Sequence, residues 1–256
     1  MPMLRVHYLP QLVAEADLAG STCVVVDVLR ATTTMVYALA AGASSVLPCL
    51  TIDDARNRAA RLPAEQAVLG GERGGVRIPG FALGNSPAEY TPETVAGKTI
   101  VLTTTNGTRA LLHCHQSAEV WIGAFVNLSA VCAALSRRQK VDLLCAGTDG
   151  EITREDVLFA GAVAEHLATG NQWQLNDQAA LARDAWLQVA DSAAADLKPR
   201  LDSAMRASKG GRNLMALNMG EDIELAADVD RFALVPQYHA AAGRIEGSQG
   251  LPPTGY

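Results

Sequence analysis

Cys23-Val-Val-Val-Asp27-Val-Leu-Arg30-Ala-Thr32-Thr-Thr34 is the stretch on which the reading of this chain turns. Its opening run is apolar and mostly β-branched, the mark of a strand buried on both faces of a parallel sheet. Asp27, Arg30 and the threonines 32–34 interrupt it. Met35 to Ala41 then supplies good helix formers, and Gly42 a stop. The order is strand, polar turn, helix. In open α/β sheets such turns lie at the carboxyl edge, where ligands bind, and a helix start there favours an anion. Asp27 beside an anion is repelled unless a cation lies between them. A divalent metal bridging Asp27 to a phosphate is the simplest arrangement. An equally economical alternative has Asp27 capping the helix or pairing with Arg30.

The same unit recurs. Lys98 to Thr103 reads as a strand, Thr104-Thr-Asn-Gly-Thr108 as a turn, and a short helix runs through Leu111 and Leu112. Small hydroxyls and a glycine at a helix start suit phosphate oxygens, although ordinary capping explains them as well. No Gly-Lys-Ser/Thr follows, so this is not a Walker loop. Glu119 to Phe125 is a further strand, with Asn127 capping a helix over 128–138. Val141 to Ala146 is another strand, followed by a turn carrying Asp149, Glu151, Glu155 and Asp156 ahead of a helix over 157–168 that stops at Gly170. The helix dipole accounts for Glu155 and Asp156. Asp149 and Glu151 are less easily dismissed, because clustered acids at a sheet edge suit Mg²⁺.

Leu4–Leu9 ahead of the first unit, and Ser45–Leu50 and Ala67–Leu69 between the two, read as strands, and Ile52–Arg61 as a surface helix. Gly70 to Tyr90 carries too much glycine and proline for regular structure, and loops this long are usually functional. Glu72 and Arg73 stand there between glycine pairs, which lets one acid and one base face a ligand closely; a solvated surface pair is the plainer alternative. Ser86-Pro-Ala-Glu89 has the signature of a helix start, which puts Asn85 and Ser86 at its N-terminus. His113 and His115, two apart, point to different helix faces and make a poor metal pair.

Farther on, 176–195 reads as a helix with Trp186 inward, and Pro199 starts another through Met205. Ser208 to Leu214 reads as a glycine-flanked basic turn, in which Arg212 could reach an anion or simply be solvated. Asp222-Ile223 opens a short helix, Arg231–Val235 is the last strand, and 247–256 is a loose Gly/Pro-rich tail.

The totals allow one large domain or two small ones, and a single domain over 1–256 is expected. Of 256 residues, 49% are hydrophobic and 19% charged, and the formal net charge is -6. That balance argues against a nucleic-acid surface, which is normally basic. Five cysteines without a CxxC argue against a zinc ribbon; Cys23 and Cys145, inside apolar runs, read as buried thiols. No run is long and apolar enough for a membrane span or a signal peptide. The expected setting is the cytoplasm. Without a nucleophile elbow or a GxGxxG after a strand, the inventory fits metal-assisted chemistry on a small, highly anionic molecule.

Seven motifs in order, Asp27-Val-Leu-Arg-Ala-Thr32, Gly71-Glu-Arg-Gly-Gly75, Gly84-Asn-Ser-Pro87, Thr104-Thr-Asn-Gly-Thr-Arg109, Cys145-Ala-Gly147, Glu155-Asp156 and Gly211-Arg-Asn-Leu214, resemble those of the 2-phosphosulfolactate phosphatase family, the ComB type. The resemblance runs from about residue 4 to about residue 245. It implies an α/β, ComB-like fold with a mostly parallel or mixed sheet flanked by helices; two lobes with the active site between them is one form this takes. It implies a Mg²⁺-dependent hydrolase that converts 2-phosphosulfolactate to 3-sulfolactate and phosphate on a route to coenzyme M. By position, Asp27 is a metal ligand or, as second choice, the nucleophile. Glu72 is a metal ligand or general base, and Arg30 and Arg73 hold phosphate or sulfonate. Thr32, Asn85, Ser86, Thr104, Thr105 and Asn106 fall on the substrate side. Glu151, Glu155 and Asp156 are further metal candidates, and Arg212 a further anion clamp. A phosphatase of another phosphorylated hydroxy acid and a non-catalytic binder of an anionic metabolite are the alternatives. A homo-oligomer is left open.

Overall fold

The computed structural model describes residues 1–169, 173–190 and 196–249. In chain order the N-terminal part runs β1 (Met3–His7), β2 (Thr22–Val26), α1 (Ala31–Ala40), β3 (Ser45–Pro48), α2 (Ile52–Ala59), β4 (Ala67–Arg73), β5 (Val76–Arg77) and α3 (Pro92–Val95). The middle runs β6 (Thr99–Thr103), α4 (Gly107–His113), β7 (Glu119–Gly123), α5 (Leu128–Leu135), β8 (Lys140–Cys145) and α6 (Arg154–Ala168). The rest comprises β9 (Gln174–Leu175), α7 (Asp177–Ala190), α8 (Leu197–Arg206), α9 (Lys209–Ala216), α10 (Gly220–Ala226), β10 (Leu234–His239) and β11 (Arg244–Gln249).

All eleven strands share one mixed sheet, in the order β5-β4-β6-β3-β11-β10-β7-β2-β8-β1-β9. The expected α/β class with a mixed sheet flanked by helices is what the chain forms. β2 is buried along its whole length, between β7 and β8 and parallel to both. Its alternate side chains divide between two cores, Val24 and Val26 against α5 to α8, Cys23 and Val25 against α1 and α4. That two-sided burial is why the run is continuously apolar.

Two parallel blocks make up the sheet. One is β4-β6-β3 and the other β7-β2-β8-β1-β9. The antiparallel hairpin β10–β11 joins them, antiparallel to β7 on one side and to β3 on the other. Three successive reversals set the blocks in opposite senses. The joints are thin: β11 meets β3 at the single pair Ile245–Val46, and β10 meets β7 at Gln237–Trp121 and Tyr238–Val120. A flat sheet would put the two sets of carboxyl ends on opposite edges. Residues that follow β2, β6 and β8 and residues of β4 instead line one cavity, described below.

Several sequence expectations need correction. The punctuated segment after residue 69 is partly regular, because β4 continues through Glu72 and Arg73 and turns back into β5. Gly71 permits this: its φ is +145° and an added Cβ would lie 2.2 Å from the Thr103 carbonyl oxygen, so β4 packs directly on β6. Ser86 precedes a three-residue 3₁₀ turn (Pro87–Glu89) rather than an α-helix and makes no side-chain cap. Ser208 to Leu214 is not a turn. Ser208 caps α9 by accepting from the Gly211 N–H at 3.0 Å.

The last strands are β10 and β11 instead of Arg231–Val235, so residues 247–249 belong to the sheet and not to the tail. Gly170, residues 191–195 and the tail from 250 onward fall outside the described residues. Trp186 points inward as expected, stacked on Phe125 at 5.7 Å between ring centroids.

Candidate active site

Asp27 follows β2 directly. Its backbone N–H donates to Thr32 Oγ1 at 3.1 Å, and its carbonyl accepts from that hydroxyl and from the Thr32 N–H, both at 2.9 Å. Thr32 is therefore committed to holding the turn. Asp27 Oδ1 accepts from the Ala31 N–H at 3.2 Å, so part of the capping alternative is realised. Asp27 Oδ2 lies against Gly107, where an added Cβ would stand 2.7 Å away. Burial pushes the Asp27 carboxyl up to about 7, opposed by the Ala31 hydrogen bond and reinforced by the charges of Glu72 and Glu155.

Glu72 reaches the same place from the other block. Its Oε1 accepts from the Thr105 N–H at 2.7 Å and its Oε2 from the Gly75 N–H at 2.8 Å. The carboxylate thus ties the β4–β5 hairpin to the β6–α4 turn while remaining 7% exposed. Arg73, next along the strand, turns away. It donates to the carbonyls of Glu72 at 2.6 Å and Leu50 at 3.2 Å and to Thr103 Oγ1 at 2.9 Å, and it is not on the cavity wall. The extended backbone sends consecutive side chains to opposite faces, and the sequence could not say which face holds the ligand.

Asp27, Glu72, Arg30, Asn85, Thr104, Thr105 and Asn106 all line one cavity of about 370 Å³, the size of a small-molecule site. Arg30 does not pair with Asp27. Its Nη1 donates to Asp222 Oδ2 at 2.6 Å and its Nη2 to the Gly75 carbonyl at 2.7 Å. Ser86 donates to the other Asp222 oxygen at 2.5 Å, so Ser86 supports Arg30 through α10. Thr104 Oγ1 is engaged with Thr108 Oγ1 at 3.1 Å. Asn85 Oδ1 and Thr105 Oγ1 are buried with no protein partner, and buried polar atoms normally have one.

The acids after β8 divide in an unexpected way. Asp156 accepts from the Val28 N–H at 2.9 Å and the Gly147 N–H at 3.0 Å, stapling the ends of β2 and β8. Burial pushes its carboxyl well up, with Glu155 and Asp27 adding to the shift. Glu155 is buried beneath α9, where an added Cβ on Gly210 would meet its Oε1 at 2.1 Å, and its Oε2 has no partner. Burial raises Glu155 too. Neither acid is on the cavity wall. Glu151 is exposed and paired with Lys209 at 3.0 Å. Its neighbour Asp149, at φ 55°, is the acid of this turn that lines the cavity. Arg212 is exposed outside the wall and donates to the Ala207 carbonyl.

A family model for 2-phosphosulpholactate phosphatase matches residues 7–241 of this chain. The chain belongs to the 2-phosphosulpholactate phosphatase family. A relative from Symbiobacterium thermophilum is 39% identical over 224 residues, covering 87% of this chain and 93% of the relative. One from Thermotoga maritima is 40% identical over 215 residues, covering 84% and 88%. One from Deinococcus radiodurans is 39% identical over 215 residues, covering 83% and 85%. All three are described as "Probable 2-phosphosulfolactate phosphatase".

For a family member read as Mg²⁺-dependent, the donor set can be tested against that ion. Among the described residues no group of three or more His, Cys, Asp or Glu side chains could hold a metal. Mg²⁺ does not require one. It keeps several waters and commonly takes one or two carboxylates plus substrate phosphate oxygens. Asp27 and Glu72 are two nearly buried carboxylates on one wall, close enough for the Glu72 charge to raise Asp27. With Asn85, whose side-chain oxygen is unpartnered, lining the same cavity, they fit a hard cation held jointly with its ligand, and not a closed protein cage.

Sequence reasoning missed Asp222, Gly75, Gly210, Thr148 and Asn213. The last four line the cavity, and Asp222 anchors Arg30. The segment Ser208–Leu214, read as a basic turn, is instead a helix that supplies a wall of the site. Leu214 and Leu217, a turn after Gly210 and Asn213, show that one face of α9 is turned inward. The amphipathic spacing Gly210, Asn213, Leu214, Leu217 was the available signal.

Proposed function

We propose that this chain is a Mg²⁺-dependent phosphoric monoester hydrolase that cleaves 2-phosphosulfolactate to 3-sulfolactate and phosphate. The proposal extends to the coenzyme M route and the cytoplasmic setting that the family resemblance implies. The observation that carries it is the meeting of Asp27 and Glu72, from opposed blocks of the sheet, on one small cavity in a member of this family.

In the reaction, a water oxygen bonds to phosphorus, the phosphorus–ester oxygen bond breaks, and a proton ends on the sulfolactate hydroxyl. Asp27 and Glu72 would hold the Mg²⁺, whose chemistry is to neutralise and polarise phosphoryl oxygens. Arg30 adds a fixed positive charge on the wall, held in place by Asp222 and Ser86. The carboxamide of Asn85 and the hydroxyl of Thr105, both with unpartnered buried oxygens, orient the ligand. The two glutamate-bound amides, Gly75 and Thr105, keep Glu72 from swinging out when the cavity is empty. These groups are placed before substrate arrives, which is what electrostatic catalysis requires.

The test is a phosphate-release screen over small phosphorylated hydroxy acids, with and without Mg²⁺, combined with calorimetric binding. Chelator-sensitive release that is fastest on 2-phosphosulfolactate supports the proposal. Fastest release on another ester replaces the substrate, and tight binding without turnover across the panel replaces the enzyme with a binder.

A further inference from the structure

The turn Thr148–Glu151 and the start of α9 face each other at the cavity mouth. Asp149 and Gly150 both have positive φ, 55° and 77°, and Thr148 pairs with Glu151 as an isolated bridge, so the turn is tight. Lys209 reaches across to them, with Nζ 3.0 Å from Glu151 Oε1 and 3.9 Å from Asp149 Oδ2. Its sequence neighbour Gly210 and its contact Asp149 both line the cavity. The Lys209 side chain is 26% exposed, whereas those of Asp149 and Glu151 are 62% and 70% exposed. Ion pairs with such solvated acids are weak and readily exchanged.

The charges of the cavity call for another cation. Asp27, Glu72 and Asp149 line it as acids, while Arg30 lines it already matched by Asp222 at 2.6 Å. A ligand bearing phosphate, carboxylate and sulfonate adds several negative charges. One divalent ion between Asp27, Glu72 and the phosphate leaves the far end of such a ligand uncompensated. Lys209 is not itself on the cavity wall, but its Nζ lies 3.9 Å from Asp149 Oδ2 and its neighbour Gly210 is on it. It is a flexible ammonium whose present partners are surface acids.

Resting on the reading given under Proposed function, we propose that Lys209 is a specificity-determining residue that leaves Glu151 to pair with the non-phosphoryl strong-acid group of the substrate, the sulfonate. The exchange trades one exposed ion pair for one with the ligand.

The test compares kcat/KM on 2-phosphosulfolactate and on 2-phospholactate, which lacks the sulfonate, in wild type, Lys209→Met and Lys209→Arg, all with Mg²⁺. A charge-assisted contact predicts a fall of roughly 10- to 100-fold for Lys209→Met on the sulfonate ester. It predicts little change on 2-phospholactate and substantial recovery in Lys209→Arg. The loss is carried by KM more than by kcat. Equal losses on both esters, or no loss on either, overturn the proposal. Should wild type release phosphate from neither ester, the hydrolase reading fails separately, and calorimetric titration with 3-sulfolactate decides this one. Weakened binding in Lys209→Met then supports it; unchanged binding, or none to wild type, overturns it.

Discussion

Arg30 and Asp222 are joined at 2.6 Å although 192 residues separate them, and both are nearly buried, at 4% and 3% exposure. Removing one member of a buried pair leaves the other charge without compensation, which costs about 3–5 kcal/mol. Asp222→Ala is therefore expected to lower the urea midpoint strongly and to weaken ligand binding as well, since Arg30 loses its anchor. A stability within about 0.5 kcal/mol of wild type would show the pair to be idle.

Asp27→Asn is expected to abolish phosphate release while stabilising the metal-free protein at neutral pH. The folded chain holds Asp27 at about 7 against an ordinary 3.8, so it binds a proton that the unfolded chain has already lost. Stability then declines as pH rises through that interval. The variant should melt higher than wild type at pH 8 and nearly alongside it at pH 4. Thermal melts in chelator at both pH values check this. A variant that melts lower at pH 8 would contradict the burial account.

Mg²⁺ should bind more tightly as pH climbs from 6 to 8, because occupancy by the ion displaces the proton that Asp27 holds near 7. Calorimetry in buffers of different ionisation enthalpy reads the released proton. Binding that is flat across this range would move the metal away from Asp27.

Gly107→Ala places a methyl 2.5 Å from the Ala31 Cβ and 2.7 Å from Asp27 Oδ2. Overpacking of this kind costs about 1–3 kcal/mol. Activity should fall by more than the stability loss explains, because the displaced atom is a carboxylate of the site. Denaturant titration and phosphate release on the same preparation separate the two effects.

Arg212→Ala should leave both stability and phosphate release nearly unchanged, within about 0.5 kcal/mol for stability. Its guanidinium is exposed and bonded to the Ala207 carbonyl outside the cavity wall. A marked rise in KM would return it to the site.

Local sequence was sufficient wherever the decisive physics is local. The apolar runs of β2, β6 and β8 name strands because a strand buried on both faces needs no partner's identity to be recognised. The polar turns after them name the ligand edge, and Asp27, Arg30, Glu72, Asn85 and Thr104 to Asn106 do converge on one cavity. Tertiary structure decided the rest. The parity of Glu72 and Arg73 along β4 was open until the sheet had an inside, and then only one of them could face the ligand. Glu155 and Asp156, indistinguishable from ordinary first-turn acids, were taken out of the cavity wall by α9 and by two backbone amides. Arg30's partner came from α10, and the hairpin of β10 and β11, with Pro236 and mixed polar residues, is a strand pair by virtue of what flanks it. Those choices depend on which charges and which strand edges are buried together across most of the chain's length, and no short window of sequence carries that information.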